Sequence, residues 1–268
     1  MRSFIRFGLM GLITTASASV ASAAPVLIID PFNTGVFGQP MQIGVPGTQP
    51  NSHITAVFRT QTLTTPAGNP LLPGGLSPNR DVGIVHSQGP FSGISQLVIN
   101  PVTRIASVDS ISGTSSAVAQ LRYQGLGPSS SSWIDLNAYN VPGGAFQFTL
   151  HSFSLPDVTI QARIRIETRD GRNPAFAEVS NWQSVRIGTA DVGRVIRFPI
   201  ANFFDGGTEP TIPLNLARTQ RIDFHLTPDT ADSIGLDYSF GGLTLVPEPS
   251  SAMLLIIGSA ALLRRRAR

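Results

Sequence analysis

Cysteine is absent from all 268 residues. That excludes disulfides, thiolate catalysis and thiolate-bound zinc, so the fold must hold by burial and polar contacts alone. Lysine is absent as well, and all 19 cationic side chains are arginines. Charged residues make up only 13% of the chain and aromatic residues 7%. The formal net charge of +3 belongs to the ends. Arg2 and Arg6 lie near the N-terminus, and Arg264, Arg265, Arg266 and Arg268 near the C-terminus. Between the ends, thirteen arginines face fifteen carboxylates, a net of −2. These arginines are scattered singly, so nucleic acid has no electrostatic footprint here and is not an expected partner. No apolar run reaches the roughly 20 residues of an ordinary spanning helix.

Catalytic signatures are missing too. The four histidines, His53, His86, His151 and His225, form no pair at metal-ligand spacing, and His151 and His225 read as solvated residues on the polar faces of their strands. No H-E-x-x-H, G-x-S-x-G or phosphate-binding loop is present. Between the ends the glutamates are Glu167, Glu178 and Glu209, and the aspartates mostly flank turns, where they bond the local backbone. Nothing here resembles a paired-carboxylate or nucleophile–base site. The chain reads as non-enzymatic, with no catalytic residue, metal or cofactor expected.

The two ends carry targeting patterns. A positive start is followed by an apolar stretch over 7–16 and by small residues Ala21, Ser22, Ala23 and Ala24 ahead of Pro25. This order predicts a signal peptide over 1–23, cut after Ala23, with the Sec translocase and signal peptidase as partners. At the other end Pro247, Glu248 and Pro249 precede a short apolar segment over 251–263 and the arginine cluster. The segment is short for a permanent anchor, while the arginines behind it would stay cytoplasmic and stop export. The arrangement resembles the PEP-CTERM sorting signal of Gram-negative bacteria, over 245–268. That resemblance implies a short hydrophobic helix, transient membrane insertion and processing by an exosortase. It also implies an envelope or exopolysaccharide-matrix location.

The expected organisation is therefore a signal peptide over 1–23, a β-domain over 24–246 and a sorting signal over 247–268. Alternation of period two runs through the middle. Val158, Ile160, Ala162, Ile164 and Ile166 point one way, and Thr159, Gln161, Arg163, Arg165 and Glu167 the other. Such a pattern marks a half-buried antiparallel strand, and the Asp170-Gly171 pair after it signals a tight turn. Phe146, Phe148 and Leu150 repeat the pattern, as do Ile196, Phe198 and Ile200, and Ile222, Phe224 and Leu226. Further strands are expected over 26–30, 54–64, 82–86, 117–123, 133–137 and 234–245. Many short strands between Gly and Pro turns, without helical periodicity or internal repeats, predict an all-β antiparallel sandwich or jelly roll. The order of elements resembles galactose-binding-like jelly rolls. That resemblance implies adjacent first and last strands, with Asp30 near Asp237; a turn or strand-edge role is the expected one for these aspartates, and a structural calcium ion the alternative.

The candidate ligand face is Trp133, Asp135, Asn137 and Tyr139, which alternate along one expected strand. An aromatic ring beside amide and carboxylate groups suits a sugar, whose C–H face stacks while its hydroxyls hydrogen-bond. Packing of Trp133 beneath a loop or into the other sheet is the competing expectation. Thr60, Thr62 and Thr64 share one face of another strand and read as a solvated surface. The expected function is that of an exported, non-enzymatic envelope or matrix component, with carbohydrate binding through the Trp133 face as the alternative. An unrecognised glycan hydrolase ranks third.

The sorting expectation has a direct check. Intact mass of protein recovered from the envelope or medium should lack residues 1–23 and end near Pro249. Persistence of the arginine tail at steady state would contradict processing.

Overall fold

The computed structural model describes residues 26–32, 41–43, 56–62, 79–88, 93–111, 116–124, 135–169, 177–204, 214–229 and 235–247. The signal-peptide positions Ala21, Ala23 and Ala24, residues Glu248 and Pro249, the segment over 251–263 and the terminal arginines lie outside them, as does Trp133. Among the described residues no helix is long and apolar enough to cross a membrane.

The strands follow in order. The first five are β1 (Leu27–Asp30), β2 (Met41–Ile43), β3 (Ala56–Thr62), β4 (Asn79–Gln88) and β5 (Ser95–Asn100). Next come β6 (Ile105–Ser110), β7 (Ser116–Gln124), β8 (Ala145–Phe153), β9 (Ile160–Arg169) and β10 (Ala177–Val179). The last five are β11 (Gln183–Ile187), β12 (Val195–Pro199), β13 (Thr219–Pro228), β14 (Tyr238–Gly241) and β15 (Leu243–Val246). They form two antiparallel sheets packed as a sandwich. The eight-stranded sheet runs β1-β15-β8-β14-β6-β5-β2, with β12 also on β8. The seven-stranded sheet runs β10-β9-β13-β7-β4-β3, with β11 also on β9.

The all-β sandwich follows from the alternation. Along β9, Ile160, Ala162, Ile164 and Ile166 are fully buried, as are Ile222, Phe224 and Leu226 on β13 or nearly so. First and last strands do lie together, since β1 pairs antiparallel with β15. The strand expected over 234–245 is divided. β14 and β15 form one line along β8, broken at Gly242, where a β-carbon would collide with the Asp30 carbonyl oxygen. Glycine there lets β1 approach and close the sheet. Strands β2, β5, β6, β10 and β11 were not expected from the sequence. They are short, and a serine occupies an inward position of β5 (Ser95), which blurs the apolar alternation.

The core is aromatic at its centre. Phe148 of β8 meets Phe224 of β13 edge-on across the sheets at 5.0 Å, and Phe224 meets Phe240 of β14 at 6.0 Å. Edge-to-face pairs of this kind add about 0.5–1.5 kcal/mol each beyond burial.

A polar cluster also joins the sheets. Asp30 of β1 accepts a 2.6 Å bond from Arg80 of β4, and both side chains are 0% exposed. The same carboxylate accepts from the Tyr123 hydroxyl of β7 at 3.1 Å and from the Phe32 backbone N–H at 2.8 Å. Burial, the Asp30 charge and their hydrogen bond push the Tyr123 phenol well above its usual range, with Arg80 opposing. The candidate calcium pair, the lesser alternative for these aspartates, finds no support here. Asp30 is committed to Arg80, and Asp237 accepts from the Ser110 N–H at 2.6 Å. The two also stand far apart: Asp30 pairs with Leu243, six residues along from Asp237, about 20 Å at strand rise. Among the described residues, no group of three or more potential metal ligands is present.

Breaking a buried pair leaves an uncompensated charge at a cost of about 3–5 kcal/mol. Arg80→Met should lower the urea unfolding midpoint by a corresponding amount, and adding Asp30→Asn should recover part of it. A loss below about 1 kcal/mol in Arg80→Met would show that the clasp does not hold the sheets.

Candidate functional site

The described part of the Trp133 segment, from Asp135 onward, does not form the expected strand. Asp135 Oδ1 accepts the Asn137 N–H at 2.8 Å, a local turn bond that competes with strand pairing. Residues Asn137–Tyr139 then coil into a 3-10 turn, closed by Tyr139 N–H to Leu136 O at 3.0 Å. Leu136 is buried and donates its N–H to Leu216 O. Asp135 and Asn137 remain exposed, but Tyr139 is only 2% exposed and burial raises its phenol pKa. Tyr139 thus leaves the shared face, because a 3-10 turn does not alternate as a strand does.

A different aromatic–polar constellation stands on the outer face of the seven-stranded sheet. The register aligns one residue from each of five strands into a row across it: Phe58 opposite Gly83, Gly83 opposite Gln120, Gln120 opposite His225, and His225 opposite Arg163. Four strand spacings make this row about 19 Å long. The neighbouring row is Thr60, Asp81, Arg122, Asp223 and Arg165. On β4, β7, β13 and β9 these residues alternate with core residues one position away.

Phe58 is 59% exposed, and its ring lies over Gly83, where a β-carbon would collide with ring atom Cε1. An interior strand glycine here is a seat for that ring. Beside it opens a cavity of about 420 Å³ lined by Phe58, Thr60, Asp81, Gln120, Arg122 and His225. Thr60 donates its hydroxyl to Asp81 at 2.7 Å. Thr62 ends β3, and Thr64 lies outside the described residues, so the threonine face is established only at Thr60.

Asp223 anchors the floor. Only 1% exposed, it accepts Arg122 Nε and Arg165 Nε at 2.8 Å each, and Arg221 Nε lies 3.3 Å away. Burial alone would raise its pKa, but the bonds from Arg122 and Arg165 and the charge of Arg221 outweigh burial and hold it below the usual carboxylate range. Arg221 also pairs with Glu167 at 2.7 Å.

At the far end Trp182, between β10 and β11, covers the guanidiniums of Arg165 (4.5 Å) and Arg163 (5.0 Å) and the His225 ring (4.8 Å). One expectation changes here. His225 stands on the outward face as expected, but Trp182 shields it. Burial, outweighing the raising influence of Asp223 and joined by Arg163, Arg165 and Arg122, lowers its pKa to about 4. His151 is exposed, as expected. Trp182 itself had no signal, since it lies outside any alternating run.

The arrangement offers donors from Arg122 and Gln120, acceptors from Asp81 and Gln120, and an apolar ring face from Phe58. Among the described residues, the lining contains one carboxylate, Asp81.

The chain matches no protein-family model and no curated protein. Among solved structures it is similar to the family 11 carbohydrate-binding module of cellulosomal cellulase Lic26A-Cel5E of Clostridium thermocellum. The two share 13% identity over 84% of this chain and 96% of that one, with a TM-score of 0.35. A family 11 module from the same organism, in complex with a β-1,3-1,4-mixed-linked tetrasaccharide, is 13% identical over 74% and 91%, with a TM-score of 0.33. The family 30 module of cellulosomal cellulase Cel9D-Cel44B of Clostridium thermocellum is 12% identical over 73% and 94%, with a TM-score of 0.32. No residue of the groove is assigned from them.

The His225 environment generates a pH test. With its pKa at about 4 in the fold and about 6.5 unfolded, the unfolded chain binds the extra proton between these values. Stability should therefore fall as pH drops from about 6.5 toward 4. His225→Gln should flatten that part of the curve in thermal melts, and an unchanged slope would refute the shielding.

Proposed function

We propose that the chain is an exported, non-enzymatic polysaccharide-binding β-sandwich of the cell envelope or matrix. It holds a glycan along the outer face of the seven-stranded sheet, between Phe58 and Trp182. The observation that carries this reading is the cavity beside the exposed Phe58 ring, lined by both donors and acceptors. Sugars present alternating C–H faces and hydroxyls, which call for an aromatic platform next to bifunctional polar groups. A volume of about 420 Å³ falls within the usual range for small-ligand sites, roughly 300–1,000 Å³. The rows cross five strands, so the platform is long enough for several sugar rings rather than one. Its residues sit on paired strands locked by Asp223, so little ordering cost falls on binding.

This moves the ligand face away from the Trp133 segment. Hydrolysis finds less support, because a second carboxylate is needed opposite Asp81 and the nearby Asp223 is committed to three guanidiniums. Export by the Sec route, exosortase processing and surface location rest on the terminal sequence patterns described above. A polysaccharide partner would give such an exported protein a means of residence in the matrix after its tail is removed.

The full-length protein in mild detergent should be retarded in affinity electrophoresis through gels containing a panel of bacterial exopolysaccharides. Phe58→Ala should weaken the retarding interaction about tenfold, equivalent to about 1.4 kcal/mol. Gly83→Ala, which displaces the ring without removing it, should weaken it in the same direction. Retardation by no polysaccharide, or retardation indifferent to both substitutions, would overturn the reading.

A further inference from the structure

The outer face carries more positive charge than its carboxylates offset. Arg122, Arg163 and Arg165 stand in two adjacent rows, and Asp223 is the carboxylate among them. Arg221 is held between Asp223 and Glu167. Arg163 makes no ion pair among the described residues. Its Nη2 reaches the Thr227 hydroxyl at 3.4 Å, and its guanidinium lies against the Trp182 ring. Arg122 and Arg165 each commit Nε to Asp223, which leaves the terminal nitrogens of both guanidiniums outside that contact. Arg122 is 43% exposed and lines the cavity.

The distribution along the groove is polarised. Asp81 stands on the Phe58 side of Arg122, which occupies the middle of its row, while Arg163 and Arg165 stand at the Trp182 end. Clustered guanidiniums under an aromatic cover are partly desolvated, which is costly unless an anion joins them. A guanidinium fork accepts a carboxylate through two parallel N–H bonds. A neutral glycan would leave that surplus charge uncompensated, whereas a ring bearing a carboxylate would offset it and still present a C–H face to Phe58.

Resting on the glycan-binding reading above, we propose that the groove takes an acidic polysaccharide, with a uronic-acid carboxylate received by Arg122 and the charge supported by Arg163. The sugar carboxylate points toward the Trp182 end, away from Asp81.

The test uses matched polymers: polygalacturonate, alginate and a glucuronan, each beside its carboxyl-reduced counterpart, against the full-length protein in mild detergent. The expected result is at least one uronate polymer bound tenfold or more tighter than its reduced form. That preference should shrink as salt rises. Arg122→Gln and Arg163→Gln should each lower the ratio of uronate to reduced-polymer affinity, weakening binding to the uronate form more than binding to the reduced form. Equal or tighter binding of every reduced polymer would overturn the acidic assignment and leave glycan binding standing. Absence of binding to both forms of every polymer, together with no retardation by any exopolysaccharide, would overturn the underlying reading as well.

Discussion

The clasp of Asp30 on Arg80 is the contact on which the sandwich and its outer groove both depend. With no cysteine available, the two sheets are joined by burial and by polar contacts, chief among them this carboxylate, which collects Arg80, Tyr123 and the Phe32 N–H. Its consequence reaches through the sheet. Arg80 points inward on β4, so Asp81 points outward; Tyr123 points inward on β7, so Arg122 points outward. A one-residue slip of either strand would exchange these faces, burying the groove residues and exposing the clasp. The interior ion pair therefore sets which residues line the cavity. Buried pairs are poor sources of net stability but effective at specifying register, which is the role argued here.

Asp223 does the same from the other side. It faces outward on β13 between inward Ile222 and Phe224, and Phe224 sits in the central aromatic cluster. Its bonds to Arg122 on β7 and Arg165 on β9 tie three neighbouring strands together at the groove floor. Strand register is thus fixed by apolar packing within and by a charge hub without. The same hub holds guanidiniums in place ahead of any ligand, at the expense of concentrating positive charge in one region.

The fold was legible where alternation was long. The pattern of Val158 to Glu167 gave β9 nearly complete, and Phe146–Leu150 and Ile222–Leu226 gave the strands that form the heart of the core. Short strands such as Met41–Ile43 and Ala177–Val179 offer too few residues for a period to be recognised. The site was harder to read. Sequence reasoning sought a constellation within one segment and found Trp133 to Tyr139, where the Asp135 turn bond undoes the alternation. The groove is instead assembled from Phe58, Gly83, Gln120, His225 and Arg163, and strand pairing cannot be seen in one sequence. Two local signals were available: a phenylalanine on the polar face of β3 and a glycine inside β4. Together they mark a ring resting on bare backbone.

The chain contains two tryptophans, Trp133 and Trp182, and they separate the alternatives cleanly. The decisive measurement is the indole N–H resonance of each in a ¹⁵N-labelled protein, followed on saturation with an oligosaccharide cut from a polymer that the protein binds. The account predicts that the Trp182 indole and the Gln120 side-chain amide shift together while the Trp133 indole stays fixed. Movement of the Trp133 indole with Trp182 and Gln120 unchanged would contradict it.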